Sequence, residues 1–285
     1  MKSTDLYSQL NKYFIKPGMK EENWYEWMNG LDEYICENFK QHSMGLMCDF
    51  AQEIKKVYTA VFPSDDILTK ILNENIHDAM LFIHHPMVWD LSKDPDNAFY
   101  DVNAELLGKL KERRVSLFNF HVPHDNFSEY STTKTLAVAL GIKIEKPFSE
   151  YHGGLCGVIG TTDCKDIHEL NEKYSQTVRH DTKLYQYGEN KIFNNRVAVV
   201  AGGGNDNDVV NDVVENKINV LITGVSLKNK YSIDVHELEK EKGINLLGGT
   251  HYSSEKFGCN AMCEYFKKIG LPSEFINSSP CFDDL

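Results

Sequence analysis

Hydrophobic and polar positions alternate with two periods along this chain, and the switches between them predict its elements. Apolar residues recur at helical spacing in STDLYSQLNKYFI (3–15), with Ser3 and Thr4 placed as N-caps, and again in NWYEWMNGLDEYICENF (23–39). EIKKVYTAVFP (53–63) reads as a strand closed by Pro63, and SDDILTKILNENI (64–76) as a helix with Ile67, Ile71 and Leu72 on one face. AMLFI (79–83) is apolar throughout, as a strand covered on both faces would be. A helix over 103–114, the strand VSLFNF (115–120) and a helix over 132–142 closed by Gly141 continue the β-α-β-α-β rhythm. Further on come a glycine-punctuated strand (153–160), a helix (166–174) and a strand–glycine turn–helix–strand unit (196–224). A helix (234–243), the strand INLLGG (244–249), a loop THYSSE (250–255) and a terminal helix (260–270) finish the chain. The pattern predicts an α/β fold of mostly parallel sheets with helices on their faces. Residues 1–145 plus 226–285 are expected to form one domain and 146–225 a second.

Composition narrows the function. The 285 residues suit roughly two domains. A net charge of −12 without a Lys/Arg block disfavours nucleic-acid backbones as partners. The seven cysteines are scattered, and Cys259 and Cys263, one helical turn apart, read as small core residues of a reducing compartment rather than a bridge or a metal pair. No apolar run reaches the roughly 20 residues of a membrane helix, and no basic-then-apolar leader opens the chain. A cytoplasmic protein with no membrane partner is expected.

Three strands end in residues able to bind metals. AMLFI runs into His84 and His85, VSLFNF into His121, His124 and Asp125, and INLLGG into His251, with Glu255 four residues on. Neighbours in a regular strand point to opposite faces, but past a strand's end, stiffened here by Pro86, both imidazoles can enter one crevice. Ligands of open α/β sheets gather at that carboxyl edge. Each motif also has a structural reading: satisfied core histidines for the pair, a polar turn with Asp125 as a helix cap, and Ser253 and Ser254 as an N-cap with Glu255 in the first turn. The recurrence of ligand types at three strand ends favours a metal site. Five N and O donors exceed the usual three protein ligands of one catalytic zinc site and suit two ions. Donors without thiolate favour zinc first, with iron or manganese as alternatives.

These motifs resemble the NIF3-like (NGG-interacting-factor-three-like) family of dinuclear metal-centre proteins, some of whose members are called GTP cyclohydrolase I type 2 homologues. HSMGLMCDF (42–50), His84-His85-Pro86, the His121-x-Pro123-x-Asp125 form, VAVVAGGGND (197–206) and GTHYSSE (249–255) carry the likeness across nearly the whole chain. It implies two related α/β halves with a metal cleft between them and a homo-oligomer, a hexameric ring. It implies His84, His85, Asp125, His251 and Glu255 as ligands of two divalent ions. Val225 after Thr223-Gly224, where relatives often carry an acid, and Thr250 before His251 depart from the family pattern.

The resemblance points to metal-dependent hydrolysis of a nucleotide or phosphate-bearing small molecule, with His121, His124, Asp125 and Glu255 handling protons. The alternative is a non-catalytic metal chaperone, carrier or protein-interaction scaffold. The blandest reading is an α/β protein whose histidines are only core and cap residues.

Overall fold

The computed structural model describes residues 1–94 and 96–285, and these form two compact α/β units. Met1–His124, His152–Gly154 and Cys259–Ser279 make the first; Asp125–Tyr151, Leu155–Gly258 and Pro280–Leu285 make the second.

The sheet of the first unit orders its strands Gly45–Cys48, Val115–Asn119, Ala79–Ile83, Lys56–Ala60, Ser273–Phe275. All neighbours are parallel except the first pair. Every residue of Ala79–Ile83 is buried, as its unbroken apolar run requires at the sheet's centre. Tyr58, Leu81 and Leu117 pack with Ile67, Leu68 and Ile71 of the helix Asp65–Asn73 and with Leu107 and Leu110 of Ala104–Glu112. The second of these helices starts where Asn103 accepts hydrogen bonds from the backbone of Glu105 and Leu106 (3.0 and 3.3 Å). Parallel register sets Ala60 beside Ile83 and Ile83 beside Asn119, so the chain leaves these strands at one edge, with His84, His85 and His121 following immediately.

In the second unit the order is Lys143–Tyr151, Gly154–Thr161, Arg196–Val199, Val220–Thr223, Asn245–Gly248, Lys183–Tyr185. The central three are parallel and the pairings that flank them, to Gly154–Thr161 and to Lys183–Tyr185, are antiparallel. Strand alternation divides the apolar residues between two cores. Val197, Val199, Val220, Ile222 and Leu247 meet Leu136 and Ala137 of the helix Thr132–Ala139 and Leu170 and Tyr174 of Ile167–Val178. Ala198, Leu221 and Leu246 meet Val209, Val210 and Val213 of Asn207–Glu215 and Val235 of Ile233–Lys242. The α/β class expected from the pattern is thus what forms, with helices on both faces of this sheet.

Three expectations are corrected. The unit boundary does not fall near 145 and 226. Asn245–Gly248 pairs in parallel with Val220–Thr223, which keeps 226–258 with the second unit, and Leu136 and Ala137 are buried in that unit's core. The stretch 23–39 is not one helix but two short ones, Trp24–Trp27 and Glu37–His42, with Gly30 at φ +70° between them. Trp24, Met28, Leu31, Ile35 and Phe39 are buried at the expected spacing, but through an irregular backbone. Lastly, the terminal helix spans His251–Lys268, so THYSSE is no loop; Thr250, not Ser253 or Ser254, caps it, its hydroxyl accepting from the Ser253 N–H at 3.1 Å. Cys259 and Cys263 are buried and form no disulfide, as core residues would. Among the described residues no helix is long and apolar enough to cross a membrane.

Candidate metal centre

In the first unit His84, His85 and His121 each offer a donor atom within 4.8 Å of the other two, and all three are buried. Their ring centroids are 4.4 Å apart for His84–His85, 4.8 Å for His85–His121 and 5.2 Å for His84–His121. The adjacent histidines achieve this because the strand ends at Ile83 and the chain turns there, so that two successive N–H groups face the same neighbouring segment. The His84 N–H donates to Ala60 O (3.2 Å) and the His85 N–H to Val61 O (2.9 Å), and the two rings then stand at 72° to one another. Phe62 stacks on His85 at 4.9 Å. His84 Nδ1 lies 3.1 Å from the carbonyl of Phe120. A carbonyl only accepts, so Nδ1 carries the proton and the lone pair sits on Nε2, the tautomer of a metal ligand. The amide of Asn119 donates to the His84 carbonyl at 2.6 Å and holds the turn. His124, in the short helix Val122–Asp125, packs its ring 5.2 Å from that of His84 and against Phe82.

Glu21 is the residue of this site that no sequence motif marks. Its Oε1 lies 2.8 Å from His121 Nδ1 and 3.2 Å from Trp24 Nε1, and its Oε2 accepts from the Val122 N–H at 2.9 Å. Burial pushes the Glu21 carboxyl up, but the neighbouring imidazole and the backbone donors of Val122 and Glu22 outweigh it and hold the group below its ordinary range. A carboxylate on Nδ1 fixes the His121 ring and leaves Nε2 as its outward nitrogen. The partners stand a hundred residues apart, so no local spacing could have revealed them.

In the second unit the first turn of His251–Lys268 sets His251 Nε2 3.2 Å from Glu255 Oε1, both residues buried. The spacing of four puts them on one helix face. The turn is tied down by the His251 N–H donating to Asp284 Oδ2 (2.8 Å) and by the Ser254 hydroxyl, which donates to His251 O and accepts from the Gly202 N–H, both at 2.9 Å. Gly202, in the AGGGND turn, has φ +70°, and a Cβ there would lie 2.1 Å from Glu255 Oε1 and 3.4 Å from His251 Nε2. The glycine therefore makes the space in which the carboxylate sits. Asp125 accepts a hydrogen bond from the Thr132 hydroxyl at the start of Thr132–Ala139. Ser131 holds the N-cap position of that helix without a side-chain capping bond, and Asp125, expected as the cap, meets the helix through the Thr132 hydroxyl.

Buried imidazole nitrogens and carboxylate oxygens without thiolate are the donor chemistry of zinc, iron or manganese, and the glycine cradle beside Glu255 fits a ligand carboxylate held in one place.

A model of the family described as Duf34/NIF3 (NGG1p interacting factor 3) matches residues 28–280. A protein of Pyrococcus horikoshii named GTP cyclohydrolase 1 type 2 homolog is 27% identical over 231 residues, 79% of this chain and 86% of that one. One of the same name from Archaeoglobus fulgidus is 26% identical over 253 residues, 87% of this chain and 94% of its own. Among solved structures, the protein ybgI, described as of unknown function, superposes with a TM-score of 0.75 at 18% identity, covering 99% of this chain and 100% of that one. Reduced HcgD from Methanocaldococcus jannaschii gives a TM-score of 0.67 at 23% identity, covering 98% of each. At such identities the solved structures share the fold.

Proposed function

The chain belongs to the Duf34/NIF3 family, and from that premise we propose that it is a dinuclear metal protein that hydrolyses a nucleotide or a related phosphate-bearing small molecule. The observation that carries the proposal is the buried group of His84, His85 and His121, with His84 held as the tautomer that presents Nε2. The name GTP cyclohydrolase 1 type 2 homolog, borne by several relatives, supports the nucleotide as substrate.

His84, His85, Asp125, His251 and Glu255 would hold two divalent ions, zinc in the first place. When bound, such a pair supplies Lewis acidity toward a carbonyl or phosphoryl oxygen. The chain's own groups do the rest. His121 takes a proton at Nε2, and the resulting imidazolium is paired with Glu21 across the 2.8 Å contact at Nδ1. His124, with its ring 5.2 Å from that of His84, is the second imidazole of the site that would handle protons. The Thr132 hydroxyl and the Gly202 cradle keep the carboxylates of Asp125 and Glu255 oriented for ligation and proton transfer. The low dielectric of a buried site strengthens each of these interactions.

The test is to purify the protein without an affinity tag, load it with zinc, manganese or iron, and follow hydrolysis of a nucleotide panel. Turnover by the loaded protein, abolished in His84→Ala with the circular dichroism spectrum unchanged, is the expected result. Stoichiometric metal with no turnover on any nucleotide or phosphate ester would replace the hydrolase by a metal carrier.

A further inference from the structure

We propose that a cavity beside the histidine rings of the first unit seats the heterocyclic base of the substrate, a flat nitrogen heterocycle presenting adjacent N–H donors, as guanine does. The inference deepens the nucleotide reading above and rests on it for the remainder of the molecule. The cavity has a volume of about 530 Å³, and its lining includes the aromatic residues Trp27, Trp89 and Phe99 and the acidic residues Glu26 and Asp96. Its size falls in the range of about 300–1,000 Å³ usual for small-molecule sites.

The walls are built rather than incidental. Val88–Trp89 and Phe99–Tyr100 form an antiparallel ribbon that follows His84-His85-Pro86 directly, and its register sets Trp89 opposite Phe99 with ring centroids 4.8 Å apart. On the other side the Asn29 N–H donates to the Asp101 carboxylate at 3.1 and 3.2 Å, and the Asn29 amide donates to the Trp27 carbonyl at 3.1 Å, which anchors the segment carrying Trp27. Trp27, packed edge-on against Trp24, is still 48% exposed and so retains ring surface for a guest.

The chemistry of the lining selects the guest. Three aromatic rings offer stacking faces to any flat heterocycle. Glu26 and Asp96 accept hydrogen bonds from ring N–H and exocyclic amino groups, and no lysine, arginine or histidine is among the described residues that line the cavity. Phosphate is therefore repelled here, and a nucleotide enters base first. The wall is also shared with the histidines. Phe99 lies 5.5 Å from His85 between ring centroids, and Trp24, which packs edge-on against Phe99 and Trp27 at 5.0 and 5.2 Å, lies 5.3 Å from His121. A base in the cavity places the rest of its nucleotide one ring's width from His85.

The experiment is calorimetric titration of the full chain with guanosine, which carries no phosphate, and with tetramethylammonium as the rival guest of an acidic aromatic cage. Both are titrated into chelator-treated and into metal-loaded protein. Guanosine is expected to bind saturably in both states, and about tenfold or more weakly to Trp27→Ala and to Glu26→Gln, whose metal content stays that of the wild type. Absence of saturable guanosine binding, tetramethylammonium binding in its place, or wild-type guanosine affinity in both variants would overturn the assignment. The two readings fail separately. A protein that binds guanosine yet hydrolyses nothing loses the hydrolase and keeps the base site. One that hydrolyses nucleotides with a KM unchanged in Trp27→Ala keeps the hydrolase and loses the base site.

Discussion

Replacing Gly202 by alanine puts a methyl group where Glu255 now rests. The new Cβ would be 2.1 Å from Oε1, so the carboxylate has to retreat by about 1.3 Å to reach the 3.4 Å of ordinary contact. Glu255 is 2% exposed and its oxygen is 3.2 Å from His251 Nε2, so the retreat disturbs the imidazole as well. Metal–ligand distances tolerate roughly 0.2 Å, and a shift several times larger removes Glu255 from any coordination sphere. The backbone adds its own cost. At φ +70° an alanine is strained by about 1–2 kcal/mol, which lowers the melting temperature of the metal-free protein by roughly 2–8 °C. Gly203→Ala is the control, since nothing lies within 4 Å of a Cβ there. The assay is elemental analysis of metal per chain, with calorimetric melting of the chelated protein. Gly202→Ala should lose most of its metal while Gly203→Ala keeps it. Wild-type metal content in Gly202→Ala would refute the reasoning that this glycine exists to seat a ligand carboxylate.

Other substitutions probe the supports of the site. Glu21→Gln removes a buried charge from His121 and two backbone donors, and should cost about 1–3 kcal/mol in urea unfolding at pH 7. Glu21 titrates lower in the folded protein than its ordinary value of 4.5, so its contribution is fully present above that value and is lost as pH falls toward the folded pKa. The gap between wild type and Glu21→Gln should therefore shrink below pH 4.5, and a gap constant with pH would contradict the pairing. Thr250→Ala deletes the cap of His251–Lys268 and should lower stability by about 1 kcal/mol, with Thr250→Ser restoring most of it; equal stability of all three would deny the capping role.

The parts of the site that the sequence makes visible are those written in contiguous residues. The all-apolar run 79–83 reads as a covered strand and forms one, and His84 and His85 follow it where parallel strands release their chains at one edge. The Gly-rich turn after Arg196–Val199 was legible for the same reason, a local conformational demand met by local residues. What lay hidden depends on distant pairing. Glu21 reaches His121 across a hundred residues, and the unit boundary is decided by whether Asn245–Gly248 pairs with Val220–Thr223, which no periodicity reports. The broken helix at 23–39 shows the limit from the other side. Burial of Trp24, Met28, Leu31, Ile35 and Phe39 mimics helical spacing, while Gly30 turns the chain between them. Thr250, a departure from the family's glycine-before-histidine pattern, has a local physical reason: its hydroxyl caps the helix that carries His251 and Glu255.

The most direct measurement of the central claim is anomalous scattering from crystals of the tag-free protein, recorded across the zinc, iron and manganese edges. Two ions per chain are expected, about 3.5–4 Å apart and held by His84, His85, Asp125, His251 and Glu255. Protein without stoichiometric metal, or ions bound to other side chains, would contradict the claim.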